Sequence, residues 1–409
     1  MMKWIGCLAL AGLWLVSAAA AGAEPAVNDA QLLRLQKRFP EADKNRDGRL
    51  TIEEWREFQA SRRLAAEMGE EEARATRSEG DSGKRVPPTH AEIAYGPLPE
   101  QRLNLWIVPA EKPTPLIVHI HGGGFIQGGK QDTIDAAVHE KLIARGVSYA
   151  SIQYRFQSAD SPLPDVLRGI ARSIQFLRFM ASDWNLDKSR FGAFGSSAGA
   201  AASVWLGIRN DLADADHADP VLRESSRVQA VWAISVAATM DVWQWPKYNP
   251  LFSERMVRAW IARWGYDPDT DPNDPRISAS RRELHFPGLA SADDAPMVIV
   301  NEHFADNVAH NPHASESLYQ ICKKAGMDVR LYMREVVNNL DDAPDMFDWM
   351  IGRLVPSDSP AGRAGWGQEL EAIRRSVIRG QPYGREAWVQ QAAKSLGLAS
   401  PCPSPVGHA

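Results

Sequence analysis

Two hydrophobic patterns alternate along most of this chain. Short runs rich in β-branched and aromatic residues recur from about residue 102 onward, separated by longer stretches with a helical period. The short runs predict seven strands: RLNLWIVP, PLIVHIH, VSYASIQY, RFGAFG, VQAVWAIS, APMVIVN and DVRLYMRE. Residues 166–184 show apolar positions every three or four residues and predict a helix. This alternation is typical of an α/β domain built on a mostly parallel sheet.

The N-terminal segment has a different pattern, with one positive charge followed by a continuous apolar run. Lys3 precedes the apolar stretch from Ile5 to Val16, and Ala21-Gly22-Ala23 fits a small-x-small cleavage site. We therefore predict a signal peptide at 1–23 and export to the periplasm or the extracellular space. A membrane anchor is the less favoured alternative because the apolar run is short, so we expect no stable membrane insertion.

Changes in composition divide the rest of the chain into four parts. Residues 28–62 predict helix, acidic loop and helix, and residues 63–88 are charged and lack an apolar period, as in a linker. The α/β pattern covers 89–355, and residues 356–409 form a linker and a helical tail. The tail weakly resembles the C-terminal end of small bacterial transposases associated with repeat elements; a solvated helical extension is the alternative, and we assign it no activity.

Charge and composition exclude few functions. The 409 residues carry a formal net charge of -5 at pH 7, and the hydrophobic fraction of 44% is ordinary for a globular protein. A mildly acidic chain argues against nucleic-acid binding as its main purpose. The oligomeric state cannot be inferred from the sequence.

The acidic loop DKNRDGRLTIEE follows the spacing of a calcium-binding loop. Calcium prefers six to eight oxygen ligands with flexible geometry. The first, third, fifth, seventh, ninth and twelfth positions would supply them, and a glycine at the sixth allows the sharp turn. The candidate ligands are Asp43, Asn45, Asp47, Arg49 through its carbonyl, Thr51 and Glu54. The loop resembles the EF-hand family, and no second good loop is present, so we expect weak, structural Ca²⁺ binding.

Two glycine-rich motifs in the α/β region indicate serine chemistry. GSSAG, residues 195–199, lies between a predicted strand and helix and matches the G-x-S-x-G nucleophile elbow, which exposes the oxygen of Ser197. HGGG, residues 121–124, follows an earlier predicted strand. The backbone N–H groups of Gly123, Gly124 and Ala198 would then form an oxyanion hole. The two motifs in this order give a strong joint signal.

With these motifs, residues 90–355 resemble the HGGG carboxylesterases, which are α/β-hydrolases of the hormone-sensitive-lipase-like and feruloyl-esterase-like types. The resemblance includes the segments YRFQSADSPLPDVLRGIARSIQFLR and NLDKSRFGAFGSSAG. It implies an α/β-hydrolase fold, and it places the acid of a catalytic triad after the strand PMVIV, where Asp306 stands. An aspartate at a turn or a helix start is the alternative interpretation of Asp306.

The histidine of this triad is missing from its usual place. The last predicted strand leads into REVVNNLDDAPDMF, and no histidine occurs between His313 and His408. Asparagine cannot take a proton from serine, and a carboxylate has a low pKa for that task near neutral pH. His310, just past Asp306, is our candidate base; a surface or helix-start histidine is an equally good interpretation. His121 is expected to hold the oxyanion loop, and His119 to be a core residue.

The sequence therefore predicts an exported serine carboxylic-ester hydrolase that acts on a small-molecule ester without a catalytic cofactor. Ser197 would attack the ester, Asp306 would orient a histidine, and His310 would transfer the proton. The alternative is a catalytically impaired binding protein that keeps the fold and pocket but lacks the base. A calcium-dependent interaction protein is a third, weaker hypothesis. The Trp-rich segment VWQWPKYNPLF is a candidate wall of the substrate pocket.

Overall fold

A computed structural model describes residues 29–43, 47–56, 58, 84–264 and 266–355. The chain divides into two compact units, Met1–Arg63 and Leu64–Ala409. The predicted signal peptide, most of the predicted linker and the predicted tail lie outside the described residues. No helix in the described part of the chain is long and apolar enough to cross a membrane.

The described part of the first unit has a helix on each side of the acidic loop. Helix α1 spans Asp29–Arg38, and α2 is described over 52–56. A small apolar core joins the two helices, since the ring of Phe39 lies 5.6 Å from that of Trp55. Its buried members are Leu32, Ala42, Leu50 and Trp55. Leu50 follows the turn glycine and anchors the loop to this core.

The second unit is built on an eight-stranded sheet. In the order of the sheet its strands are β10 (Val329–Met333), β9 (Met297–Asn301), β8 (Ala230–Ile234), β7 (Leu186–Ser196), β4 (Thr114–Ile120), β6 (Ser148–Ile152), β3 (Arg102–Trp106) and β2 (His90–Ala94). The strands from β10 to β6 are parallel, and β3 and β2 are antiparallel at one edge. This is the order of the α/β-hydrolase fold, as predicted.

Helices connect the parallel strands and cover the sheet. They are α3 (Ala136–Arg145), α4 (Leu163–Phe179), α5 (Ala198–Ile208), α6 (Trp245–Tyr248), α7 (Glu254–Arg263), α8 (Pro275–Leu284), α9 (Pro312–Lys324) and α10 (Met346–Leu354). The central strand β6 is buried at every position, which is why its sequence lacks an alternating pattern. All eleven residues of α5 are buried as well, so the helix that follows Ser197 lies inside the core.

The structure confirms all seven predicted strands and corrects three boundaries. The sequence missed β2 because most of this edge strand is exposed, which leaves little hydrophobic signal. Helix α4 begins before residue 166 and ends at Phe179, because Pro164 is tolerated in a first helical turn and residues beyond 180 form turns. The predicted linker ends too late, since β1 (Arg85–Val86) already pairs with β5 (Ile134–Asp135).

Candidate active site

Ser197 stands at a sharp turn between β7 and α5. Its backbone angles, φ 53° and ψ −116°, lie in a region that residues with a side chain rarely adopt. The close approach behind the turn requires glycine, since a Cβ on Gly199 would lie 1.9 Å from the carbonyl oxygen of Ile120. The turn presents Ser197 at the carboxyl ends of the parallel strands, where open α/β sheets bind their ligands.

His310 lies against this serine. Its Nε2 is 3.0 Å from the Oγ of Ser197, although the two residues are 113 positions apart in the chain. His310 is only 7% exposed. A hydroxyl and a ring nitrogen at hydrogen-bond distance form the arrangement by which a base activates a serine. The structure thus brings the two predicted residues together at the carboxyl edge of the sheet.

Asparagine side chains hold the loop that carries His310. The backbone N–H of His310 donates to Oδ1 of Asn307 at 2.6 Å, and its carbonyl accepts from Nδ2 of Asn301 at 3.1 Å. Nδ2 of Asn311 donates to the carbonyl of Ala305 at 2.8 Å. The role of these asparagines was not predicted from the sequence. The repeated asparagines in NEHFADNVAHN could have indicated this supporting role, because asparagine readily forms hydrogen bonds with nearby backbone in tight loops.

His303 packs directly on the candidate base. The rings of His303 and His310 are stacked, with centroids 5.0 Å apart and planes at 24°. Nδ1 of His303 lies 3.2 Å from Nδ2 of Asn307, so the same asparagine contacts both histidines. The stacked ring restricts the rotation of His310 and keeps its Nε2 near Ser197.

Asp306 occupies the turn between these histidines, and its side chain is exposed. Within the described part of the chain, its carboxylate forms no hydrogen bond or ion pair. An exposed charge is strongly screened by water and salt, so it orients a neighbouring ring only weakly. The structure does not link Asp306 to His310 through a hydrogen bond, and the orienting role of Asp306 stays a prediction.

The segment after β10 supports the His310 loop from its outer side. Nε of Arg334 donates to the carbonyl of Glu302 at 2.7 Å, and Oε2 of Glu335 accepts from the backbone N–H of Ala305 at 2.6 Å. The side chain of Asn339 turns back and bridges two backbone groups of β10, each at 2.9 Å. The segment that usually carries the base therefore serves here as a brace for the loop that holds His310.

The HGGG loop lies beside Ser197. A Cβ on Gly122 would come within 3.7 Å of the Cβ of Ser197. Gly123 has φ 102°, and a Cβ there would lie 2.2 Å from the carbonyl oxygen of Gln127, so the loop needs glycine at this position. Ala198 is the first residue of α5, and a first-turn N–H has no acceptor within its own helix.

His121 and Tyr154 fix the shape of this loop. Nδ1 of His121 donates to the carbonyl of Gly122 at 2.7 Å, and the hydroxyl of Tyr154 donates to the carbonyl of His121 at 2.9 Å. The two rings stack with centroids 4.2 Å apart. Burial lowers the pKa of His121 to about 4, so the ring is neutral at physiological pH. These contacts agree with the supporting role expected of His121.

Two histidines with lowered pKa values give a testable pH dependence. Burial also lowers the pKa of His119 to about 3, against 6.5 for an unperturbed histidine. Between about pH 6.5 and 4 the unfolded chain binds protons that the folded protein does not, so the free energy of unfolding should fall as the pH decreases. Urea titrations across this range measure it. His119→Asn should flatten the slope, and His313→Asn, at an exposed site, should not; an equal slope in all three proteins would contradict the prediction.

An apolar pocket opens beside Ser197 and His310. Its volume, including the open mouth, is about 630 Å³. Aromatic and aliphatic side chains form most of its wall, and Trp245 and Phe252 come from the predicted Trp-rich segment. The wall also includes Ser235, Trp260 and Trp264. The dimensions suit a small ligand with an apolar group.

The acidic loop of the first unit has internal hydrogen bonds that shape a tight turn. Oδ2 of Asp43 accepts from the N–H of Gly48 at 2.9 Å, and Oδ1 of Asp47 accepts from the N–H of Arg49 at 2.8 Å. Thr51 and Glu54 form a capping box at the start of α2, with the N–H of Thr51 donating to Oε2 of Glu54 at 2.9 Å. The predicted ligand Asn45 lies outside the described residues.

One atom of this loop fits a cation. Asp43 is 8% exposed, and its Oδ1 is buried without a hydrogen-bond partner in the described part of the loop. Bound calcium would satisfy such an oxygen. Across the described ranges, no three His, Cys, Asp or Glu side chains lie close enough together to hold a metal. Glu54 would therefore have to leave its capping box to complete a calcium site.

Comparison with solved structures finds esterases of low sequence identity. An acetyl ester-xyloside bifunctional hydrolase from Caldicellulosiruptor lactoaceticus is 19% identical over 66% of this chain and 95% of that chain, with a TM-score of 0.45. A thermophilic esterase from Thermogutta terrifontis is 18% identical over 66% and 96%, with a TM-score of 0.45. Esterase B from Lactobacillus rhamnosis is 16% identical over 83% and 98%, with a TM-score of 0.46. No curated protein matches the chain.

A protein-family model also matches part of the chain. Residues 104–270 are similar to the BD-FAE family of α/β-hydrolase esterases. The match covers the HGGG loop and the nucleophile elbow and ends before the loop that carries His310. The strand order shows the α/β-hydrolase fold, and the family match supports a carboxylesterase-type hydrolase.

Proposed function

We propose that this protein is an exported serine carboxylic-ester hydrolase in which Ser197 is the nucleophile and His310 is the general base. The observation that carries the proposal is the 3.0 Å distance between Nε2 of His310 and Oγ of Ser197 at a strained elbow. The loop of Gly123 and Gly124 beside this serine supports it further. Export rests on the predicted signal peptide at 1–23.

The reaction proceeds in two halves. His310 takes the hydroxyl proton as the Oγ of Ser197 attacks the ester carbonyl, and the tetrahedral oxyanion is stabilised by the N–H groups of Gly123, Gly124 and Ala198. The protonated His310 then gives its proton to the departing alcohol, which leaves an acyl-serine. A water molecule, deprotonated by His310, attacks this acyl group and releases the acid. Ser197 recovers the proton from His310.

The pocket suggests the substrate class. Its apolar wall, with Trp245, Trp260 and Trp264 at the side of the nucleophile, favours small-molecule esters that carry an apolar acyl or alcohol group. No cofactor enters these steps, since the serine, the histidine and the backbone donors supply all the groups that the chemistry requires.

Turnover of p-nitrophenyl acetate and butyrate by the mature protein, beside Ser197→Ala, tests the proposal. Release of nitrophenol by the wild type, well above the rate of the variant, is the expected result. A wild-type rate equal to the Ser197→Ala background would overturn it. That outcome would favour the second hypothesis, a binding protein that keeps the fold and the pocket.

We also propose that the acidic loop binds Ca²⁺ weakly, with Asp43, Asn45, Asp47, Arg49, Thr51 and Glu54 as ligands. The buried, unpartnered Oδ1 of Asp43 in the described part of the loop supports this. A single extracellular loop of this kind binds with a Kd of about 10⁻⁴ to 10⁻³ M. The ion would stabilise the first unit and take no part in ester hydrolysis.

Glu54→Gln should remove measurable calcium binding, because the substitution removes the charge of the ligand expected to bind through both oxygens. Calorimetric titration of the full chain with calcium measures the affinity. Glu53→Gln is a matched control, since Glu53 is exposed and lies outside the ligand spacing. Equal calcium affinities for Glu54→Gln and Glu53→Gln would contradict the assignment.

A further inference from the structure

One buried side chain fixes the backbone at both His303 and His310. Oδ1 of Asn301 accepts from the backbone N–H of His303 at 3.0 Å, and Nδ2 of the same residue donates to the carbonyl of His310 at 3.1 Å. Asn301 is the last residue of β9 and is fully buried. The sheet therefore sets the positions of the two backbones, and the contacts of the two rings set the directions of the side chains.

Asn307 defines the hydrogen-bonding role of the His303 ring. Oδ1 of Asn307 accepts from the backbone N–H of His310 at 2.6 Å, and this contact orients the amide, because a backbone N–H can only donate. The NH₂ group of Asn307 then lies 3.2 Å from Nδ1 of His303. An amide NH₂ group can only donate as well, so Nδ1 of His303 is the acceptor. The contact thus requires a neutral His303, since the charged ring carries a proton on both nitrogens.

A proton on His303 would weaken His310 as a base in two ways. The proton would turn Nδ1 of His303 into a donor that faces the NH₂ group of Asn307, so this contact would be lost. It would also put a positive charge on a ring that is stacked on His310, with centroids 5.0 Å apart. His310 becomes positive in the proposed reaction when it takes the proton of Ser197, and like charges at this distance repel.

Other ionisable groups lie on the three segments around His303. On its own loop, on the segment after β10 and near the start of α9, they are Glu302, Asp306, Arg334, Glu335, His313 and Glu316. Arg334 and Glu335 bind backbone groups of the loop. Because all of these groups stay the same when only His303 is replaced, a comparison of His303 variants isolates the effect of its charge.

We propose that His303 is a positioning residue for the candidate base: its neutral ring holds His310 in place through the stack and through Asn307, and protonation of His303 lowers the esterase activity. The proposal rests on the proposed function and adds a residue that acts through His310. In a serine–histidine–aspartate triad, a carboxylate orients the histidine and stabilises its charged form. The pair of His303 and Asn307 supplies orientation but no negative charge, so the activity depends on a neutral His303.

His303→Phe separates the stack from the charge, because phenylalanine keeps an aromatic ring that cannot be protonated. In the wild type, the repulsion between the two rings lets the pair take up one proton over most of the acid limb, and a proton on either ring inactivates the site. In His303→Phe, only a proton on His310 does so. At about pH 5.5, the variant should therefore retain a fraction of its own maximal activity that is about twofold or more larger than the wild-type fraction.

The kcat/KM for p-nitrophenyl acetate, followed from pH 5 to 9, measures this change as a shift of the rising limb to lower pH. His303→Ala also removes the stack and should lower kcat about tenfold at neutral pH with little change in KM, since the pocket wall is untouched. His313→Phe is the matched control, at an exposed histidine of the same segment, and should leave the limb in place. A limb that stays in place or moves to higher pH in His303→Phe would overturn the proposal, and so would a full kcat in His303→Ala.

An NMR titration of histidine rings labelled at Cε1 tests the coupling of the two rings without turnover. On the Ser197→Ala background, His303→Phe should raise the pH midpoint of the His310 titration, because the competing proton and its charge are removed. Replacement of each histidine in turn assigns the signals. An unchanged midpoint overturns the proposal even if the enzyme is active. A raised midpoint supports it even if the wild type shows no turnover, a result that would contradict only the proposed function.

Discussion

Ser197→Ala should lower the kcat for short nitrophenyl esters by about 10⁴-fold or more, which leaves only the contribution of the oxyanion hole and of binding. The loss is large because the substitution removes the atom that forms the acyl intermediate, and the strained elbow offers no substitute at that position. Steady-state assays of nitrophenol release, with the substrate concentration varied, measure kcat and KM separately. KM should change little, since the pocket wall is untouched.

Ser196→Ala is the matched control for this variant. Ser196 precedes Ser197 and ends β7. The Ser196→Ala variant therefore tests which of the two adjacent serines reacts with the ester. It should retain most of the activity. A large loss in Ser196→Ala together with full activity in Ser197→Ala would reverse the assignment of the nucleophile.

His310→Ala should reduce kcat to nearly the same level as Ser197→Ala, because the two residues act as one unit in proton transfer. The pH profile of the wild type should show the activity rising as a single group loses its proton, and this rise should be absent from the residual activity of the variant. Assays from pH 5 to 9 measure it. His313→Ala is the control, since His313 is an exposed histidine three residues further along whose ring pairs with Glu316.

Comparison of Asp306→Asn with His310→Ala tests whether Asp306 orients the candidate base. Asp306→Asn should cost much less than His310→Ala, because the carboxylate of Asp306 is exposed and unpaired among the described residues. A loss in Asp306→Asn as large as that in His310→Ala would show that the loop rearranges to pair the two in the working enzyme. Full activity in His310→Ala would mean that the base lies elsewhere.

Much of the fold followed from local pattern. Five of the seven strand runs, those of β4, β6, β7, β8 and β9, were readable because parallel strands inside the sheet are largely buried on both faces and so appear as nearly continuous apolar runs. The edge strand β2, with mostly exposed residues in HAEIA, carried no such signal. Helix α4 was found by its period, but its ends were misplaced because periodicity does not mark where a helix stops.

The site could be predicted only in part, because local patterns reveal only those features that depend on residues close together in the sequence. The motifs around Ser197 and Gly123 are local, since each is recognised by the spacing of its own glycines, although the close contact behind Gly199 is made by Ile120 of β4. The candidate base is not local in the sequence. His310 approaches Ser197 across 113 positions of sequence, and only the parallel arrangement of β7, β8 and β9 brings the two loops to the same edge.

The sequence by itself determined the class of fold, predicted the nucleophile elbow and the oxyanion loop, and placed no histidine between His313 and His408, because these depend on residue type and short-range spacing. The tertiary structure decided which histidine meets the serine, that the REVVNN segment braces the His310 loop, and that an apolar pocket opens beside both residues. These features depend on distances between residues far apart in the chain, which the packing of strands and loops sets and which no local pattern records.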